Sequence, residues 1–515
     1  FHEALNWASR EKLPVIFHVE YNKYAISVHV SEQTSGGSAY GIVAGYKNLA
    51  RFQVDGTDFF ESHLAFRKAV DRARKGKGPS VVVSDVVRLL PHSSSDDQKK
   101  YRDKEELEAD RKRDPISRFS DACAEGGVIS RKEFEKIDAE VRQSVEEDAE
   151  WAEARPLPSP ETATRYVYSE DDETTALEES EPSYISDRIV PVDAVNHALH
   201  EEMARNKKMV IYGEDVADLK GGVFTATKGL TAEFGKERVY NSPLAESSII
   251  GTAIGMACVG WKPVVEIQFS DFIWTAMMQI RNEMATIRYR SNNEWSCPIV
   301  IRVPVGGYVH GGIFHSQSID GYFLHLPGIR IAYPSNSADA KGLLKTACRM
   351  DDPVIFMEHK SLYRFVPAAT PEPDEDYLLP FGKARTVKEG SDLTIITYGM
   401  MVYKSLEAAR SLESSMGVSI EIIDLRTLNP LDYDSIERSL HKTSKALVVY
   451  EDNITNGAGA EISAIIADRY FELLDGPVKR VAAKDCPVGF SAVIEDVVLP
   501  QAEDVAQAAQ ELIEY

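Results

Sequence analysis

Short runs of apolar, β-branched residues with no polar alternation recur along this chain, and most are followed by a helix-length amphipathic stretch. The first two are LPVIFHVEYN (13–22) and PSVVVSDVV (79–87); between them a helix is read over 61–75, basic toward its end and stopped by Gly76. Runs that are apolar on both faces belong to parallel strands covered on both sides. The rhythm returns after residue 185, with helix 192–205, strand KMVIYGED (208–215), helix 246–259, strand KPVVEIQF (262–269), a long helix over 273–289 and strand CPIVIRVPV (297–305). A third set begins near Phe381, where SDLTIITYG, VSIEIIDL and KALVVYED supply the strands. The fold class this dictates is α/β, doubly wound and mostly parallel.

The acidic residues are unevenly placed. Residues 146–181 are rich in Asp, Glu and Pro and carry Arg155 and Arg165 as their only cations; with the run SEDDETTALEESEP (169–182) they read as an exposed tether dividing the chain. Over the whole chain of 515 residues the net charge is −23, which argues against a sequence-independent grip on nucleic acid or anionic membrane. No apolar stretch is long enough for a membrane span. Five well-separated cysteines without metal-ligand spacing point to a reducing, cytoplasmic setting and away from structural zinc.

In open α/β sheets chemistry gathers at the carboxyl ends of the strands. Four polar clusters lie there: EYNKYAIS, RLLPHSSSDDQKKYR, NSPLAESSIIG around Glu246 and GGIFHSQSID around His315. Taken singly, Glu246 reads equally as a first-turn carboxylate favoured by the helix dipole, and His92 and His315 as satisfied loop histidines.

Together and in order, these clusters resemble the thiamine-diphosphate-dependent decarboxylating component of the 2-oxoacid dehydrogenase complexes. The resemblance to the later half of an α subunit runs through FHEALN, YAIS, SEQ, VDG, HSSSDD and DPISR. That to a whole β subunit runs through GEDV, GGVF, PLAE, EIQF, RYRS, HSQS, PGI and IDLRTLNP. It implies a single-chain fused form with the thiamine-diphosphate-binding fold. Its parts would be an α-like diphosphate-binding part over 1–145, a linker over 146–184, a β-like pyrimidine-binding domain over 185–380 and a transketolase C-terminal-like domain over 381–515.

The resemblance also assigns roles. Asn22 through its side chain and Tyr24 through its backbone carbonyl would ligate Mg2+, both being hard oxygen donors, and Ile26 would be the apolar wedge that keeps thiamine diphosphate bent. Glu246 would hydrogen-bond the pyrimidine ring and tune its acid-base chemistry, with Glu214, Leu244, Gln268 and Phe272 around it. His92 and His315 would serve the substrate carboxylate and proton transfer to lipoyl. Three positions depart from the family pattern: Tyr21 stands for an Asn, Glu20 for a phosphate-binding Arg and Phe272 for a Tyr. The acidic metal ligand of the family is expected before Phe1, so the chain as given should bind the cofactor weakly and leave Leu13 to Val19 without a neighbour. The implied substrate is a branched-chain 2-oxoacid, with pyruvate as the alternative. The partners would be the lipoyl domain of a dihydrolipoamide acyltransferase and a second copy, the homodimer imitating α2β2. A reading of another class is a non-catalytic scaffold that only docks the acyltransferase.

Overall fold

A computed structural model describes residues 1–170 and 177–515. The chain divides into two compact units, Phe1–Pro160 and Glu161–Tyr515.

The first unit is built on a three-stranded parallel sheet in which Ser80–Asp85 lies between Ile16–Tyr21 and Ala50–Asp55. The central strand explains its unbroken apolar run: Val81 and Val83 pack with Leu5 and Val43 on one face, while Val82 packs with Val54, Ala65 and Ala69 on the other. The helix expected over 61–75 spans Phe59–Arg74; Asp58 caps it by accepting from the amides of Phe60 and Glu61. The strand within 13–22 is not without a neighbour, since Ile16–Tyr21 pairs along its length with Ser80–Asp85.

The second unit holds a seven-stranded sheet in the order Thr427–Asn429, Arg330–Ala332, Val354–His359, Val300–Val305, Lys262–Glu266, Met209–Gly213, Val239–Asn241. All neighbours are parallel except the first pair. At its centre Arg302, fully buried, donates to both oxygens of Glu358 and to Glu266. A five-stranded sheet follows, ordered Arg385–Lys388, Ile420–Asp424, Leu393–Thr397, Ala446–Asn453, Lys479–Ala483. Both sheets lie in the unit Glu161–Tyr515, and Thr427–Asn429 leaves the region after 381 to complete the edge of the seven-stranded sheet.

Two expectations are corrected. The long helix over 273–289 is irregular: a 3-10 stretch Ser270–Ala276 runs through helical Met277 and Met278 into a π turn Gln279–Met284, and a last turn Ile287–Arg290 follows a break at 285–286. The Thr286 hydroxyl takes the carbonyl of Asn282 (2.6 Å) while its amide turns to Glu283 and the Ala285 amide reaches back to Ile280, which breaks the regular ladder. The stretch 146–181 is not an exposed tether throughout. Helix Arg131–Glu153 runs into it. Beyond it the Tyr168 ring lies under Arg330 at 4.0 Å, its hydroxyl accepts from Asn429 (2.7 Å), and the Ser169 amide donates to Asp352 (2.8 Å). Glu179 is paired with Arg426 at 2.6 Å. Part of the acidic run, 171–176, lies outside the described residues. No described helix is long and apolar enough to cross a membrane.

Candidate active site

Each unit carries one half of the expected site, at the carboxyl ends of its strands. In the first unit the chain leaves Ile16–Tyr21 through Asn22, whose side-chain oxygen accepts the Tyr24 amide at 2.9 Å. That Asx turn fixes the Asn22 oxygen and the Tyr24 carbonyl in one loop and leaves each with a free lone pair. Tyr24–Ala25 then pairs with Val28–His29 in a short hairpin. At its tip Ile26 sits at φ 55 and is 55% exposed. A β-branched residue in left-handed backbone is costly unless its surroundings impose it. Arg88 helps to do so by donating to the Ile26 carbonyl at 2.7 Å. The same guanidinium donates to the Tyr101 hydroxyl (2.7 Å), which donates to Asp96 (2.6 Å), and Asp96 also accepts the His92 amide (2.9 Å). The Tyr101 hydroxyl, then the His92 amide, hold the Asp96 carboxyl below its usual range. One network therefore joins the Ile26 turn to the His92 loop, with the His92 side chain exposed. Beside Asn22 and Tyr24 opens a cleft of about 220 Å³ lined in part by Glu20, Lys23 and Gln33.

In the second unit four adjacent strands deliver the remaining residues. Glu214 follows Met209–Gly213, Gln268 follows Lys262–Glu266, His315 lies on the loop after Val300–Val305, and Glu246 opens helix Glu246–Cys258 after Val239–Asn241. Glu214 is 1% exposed, and among the described residues neither carboxylate oxygen has a well-formed hydrogen bond, although the Gln268 backbone approaches it. Burial, and then the charge of Glu246, push its carboxyl up to about 7. Glu246 itself accepts from the Thr275 hydroxyl at 2.9 Å, and that hydroxyl also lies 3.3 Å from the Phe272 carbonyl. The Phe272 ring stands edge-on to His315 (centroids 5.6 Å apart), as does Phe269 (4.6 Å). Gln268 spends its amide on Asp215 at 2.9 Å. Leu244, 80% exposed, projects from the same turn as Glu246.

The structure thus gathers Glu214, Glu246, Gln268, Phe272 and His315 in one unit, and Asn22, Tyr24, Ile26 and His92 in the other. Sequence reasoning missed Thr275 and Asp215, the partners that orient Glu246 and Gln268; Asp215 lies in the GEDV motif, while no sequence signal marks Thr275.

Three family profiles match this layout: Dehydrogenase E1 component over residues 1–161, Transketolase, pyrimidine binding domain over 189–366, and Transketolase, C-terminal domain over 382–505. The chain is 47% identical over 325 residues to the 2-oxoisovalerate dehydrogenase subunit beta of Bacillus subtilis (strain 168), a match covering 63% of this chain and 98% of that protein. The chain belongs to the thiamine-diphosphate-dependent 2-oxoacid dehydrogenase E1 family, in a fused α–β form. The pyruvate dehydrogenase E1 component subunit beta of the same bacterium is 45% identical over 324 residues, again 63% of this chain and 98% of that one. A solved structure described as a split gene transketolase, inactive beta4 tetramer, aligns with a TM-score of 0.52 at 25% identity, over 63% of this chain and 98% of that one. This likeness agrees with the fold class read from the strands. As an E1 component, the protein is a 2-oxoacid dehydrogenase whose family uses thiamine diphosphate.

Proposed function

We propose that this E1 chain decarboxylates branched-chain 2-oxoacids and passes the acyl group to a lipoyl domain of a partner acyltransferase. The observation that carries the reading is the Glu214–Glu246 pair: a buried carboxylate without a well-formed hydrogen bond among the described residues, beside a second one oriented by Thr275. Such a buried carboxylate calls for a donor-bearing, positively polarised ligand, and an aminopyrimidine ring is one. Thiamine diphosphate, when bound, supplies the electron sink for decarboxylation.

The chain's own residues would then divide the work. Glu246 holds the proton at the pyrimidine ring nitrogen, and Glu214 adds a second acceptor near it. Phe272 offers a ring face to the pyrimidine, with Leu244 and Gln268 flanking it. Ile26 would be the apolar wedge that keeps the cofactor bent. Asn22 and the Tyr24 carbonyl would hold Mg2+, with the diphosphate completing the oxygen shell. His92 and His315 bind the 2-oxoacid carboxylate and move the proton at the lipoyl sulfur. The proposed working assembly is a homodimer imitating α2β2. The branched-chain choice is supported by the 47% identity to a 2-oxoisovalerate dehydrogenase subunit. Pyruvate is the second reading, favoured by the 45% identity to a pyruvate dehydrogenase subunit.

The test is decarboxylation of 3-methyl-2-oxobutanoate and of pyruvate by the full chain supplied with thiamine diphosphate and Mg2+, read with an artificial electron acceptor. The branched substrate should have the higher kcat/KM, and Glu246→Gln should lower kcat by about 10²- to 10⁴-fold. Activity of Glu246→Gln within a few-fold of the parent would reduce Glu246 to a helix-start carboxylate.

A further inference from the structure

The loop that carries His315 is closed at its neck by one buried carboxylate. The chain leaves strand Val300–Val305 through Gly306 and Gly307 and returns through Gln317 and Ser318, and across the two limbs the Gly306 amide donates to the Gln317 carbonyl at 3.1 Å. Glu451, 4% exposed on strand Ala446–Asn453, stands at that crossing. Its Oε1 accepts the Gly307 amide at 2.5 Å and lies 3.5 Å from the Ser318 hydroxyl, so a single atom reaches both limbs. Its Oε2 lies 2.5 Å from Nε2 of His359. A carboxylate only accepts, so that ring nitrogen carries a proton; the other, Nδ1, meets the Ser361 hydroxyl at 2.8 Å. Both carboxylate oxygens are therefore tied, one to the loop and one to a strand of the seven-stranded sheet.

The glycine at the neck fits the same arrangement. Gly306 holds φ +82, and a Cβ there would collide with Nε2 of His359 and come within 2.9 Å of Oε1 of Glu451. Only a residue without a side chain lets the neck close on this pair. Burial works to raise the Glu451 carboxyl, but the His359 ring and then the Gly307 amide outweigh it and hold the group below its usual range. Other contacts grip one limb each: Glu495 accepts the His310 amide, and the Ser270 hydroxyl donates to the Gln317 carbonyl. His315 stands two residues before Gln317, with its ring edge-on to Phe269 and Phe272.

We propose that Glu451, fixed by His359, is a positioning residue for His315: it ties the two limbs of the loop together and so sets where the imidazole stands. Glu451 is buried and acts through the loop, not on the reacting atoms. The inference rests on the proposed role of His315 at the 2-oxoacid carboxylate and the lipoyl sulfur. A reacting group misplaced by about 1 Å can cost on the order of 10²-fold in rate, which sets the scale of the effect.

The experiment uses the full chain with thiamine diphosphate and Mg2+, and reads acylation of a free lipoyl domain from 3-methyl-2-oxobutanoate in a double-mutant cycle with His315→Ala. Glu451→Ala should lower kcat by about 10- to 100-fold. In the His315→Ala background the same change should cost less than about twofold, since nothing is left to position. Glu451→Gln keeps an acceptor for the Gly307 amide and can turn its own amide to His359, so it should recover kcat to within about threefold of the parent. A loss of equal size in both backgrounds would make Glu451 a support of the fold alone and overturn the proposal. Glu451→Ala at the parental rate, with His315→Ala impaired, overturns it too. His315→Ala as active as the parent removes the reading of His315, and the proposal with it. Should Glu451→Ala not accumulate, Glu451→Asp decides: a carboxylate one methylene shorter cannot reach both the Gly307 amide and His359. Its kcat should then fall by about 3- to 10-fold, and only where His315 is present; equal losses in the two backgrounds, or none, overturn the proposal.

Discussion

Ile26 and Glu214 both sit where a stability argument alone would not place them. Ile26 holds a left-handed φ of 55 at an exposed hairpin tip, where glycine would be at ease. Ile26→Gly should leave thermal stability unchanged or raise it by about 1 kcal/mol, while weakening thiamine diphosphate binding in calorimetric titration. A variant that melts lower and binds equally well would show that the isoleucine serves the hairpin and not the cofactor. Glu214 gives a pH-dependent counterpart. Its folded-state pKa, about 7, stands above the ordinary 4.5, so the folded protein holds this proton more tightly than the unfolded chain. Its favourable contribution is complete below about 4.5 and is lost as pH rises through about 7. Glu214→Gln should therefore match the parent in urea denaturation near about pH 5 and exceed it near about pH 8, by at most on the order of 3 kcal/mol. Equal denaturation curves at both pH values would contradict the burial of an uncompensated carboxylate.

Among the elements, the strands were the easiest to read in the sequence, because a strand covered on both faces leaves an unbroken apolar run. Val81, Val82 and Val83 show this in one triplet. Strand Ala50–Asp55 escaped the same test. It is an edge strand whose Arg51 and Gln53 interrupt the run, and Arg51 is drawn onto the Tyr40 ring and carbonyl. The break in 273–289 was equally hidden, since it depends on where the Thr286 hydroxyl finds a carbonyl. The docking of Tyr168 and Ser169 depends on residues 330, 352 and 429, which no local pattern can bring near. For the candidate site, the residues proposed from motifs lie at strand ends, whereas Thr275 and Asp215 bond Glu246 and Gln268 across 29 and 53 residues of sequence. Buried ionic groups make the strands interdependent. Arg302→Met would leave Glu266 and Glu358 without their cation in the middle of the seven-stranded sheet, at a cost of about 3–5 kcal/mol. A change below about 1 kcal/mol in chemical denaturation would mean that the carboxylates accept protons at little cost.

At the scale of the whole molecule, the proposed reading puts one half-site of each kind in every chain. The protein should sediment at twice the monomer mass and lose activity on dilution into monomers; a fully active monomer in analytical ultracentrifugation would contradict the homodimer. The covalent link also fixes the two kinds of half-site at equal numbers, which separate α and β chains reach only by matched synthesis. The sheet edge formed by Thr427–Asn429 bears on another clock. Strand Arg330–Ala332 leaves the ribosome with its outer edge unpaired, and the segment that covers it follows about a hundred residues later. At ordinary rates of synthesis that gap lasts roughly 5–20 s. For that interval a nascent strand offers open amides and carbonyls to any passing chain, so in a crowded cell successful production of this protein depends on translation speed and on chaperones that shield a half-finished sheet.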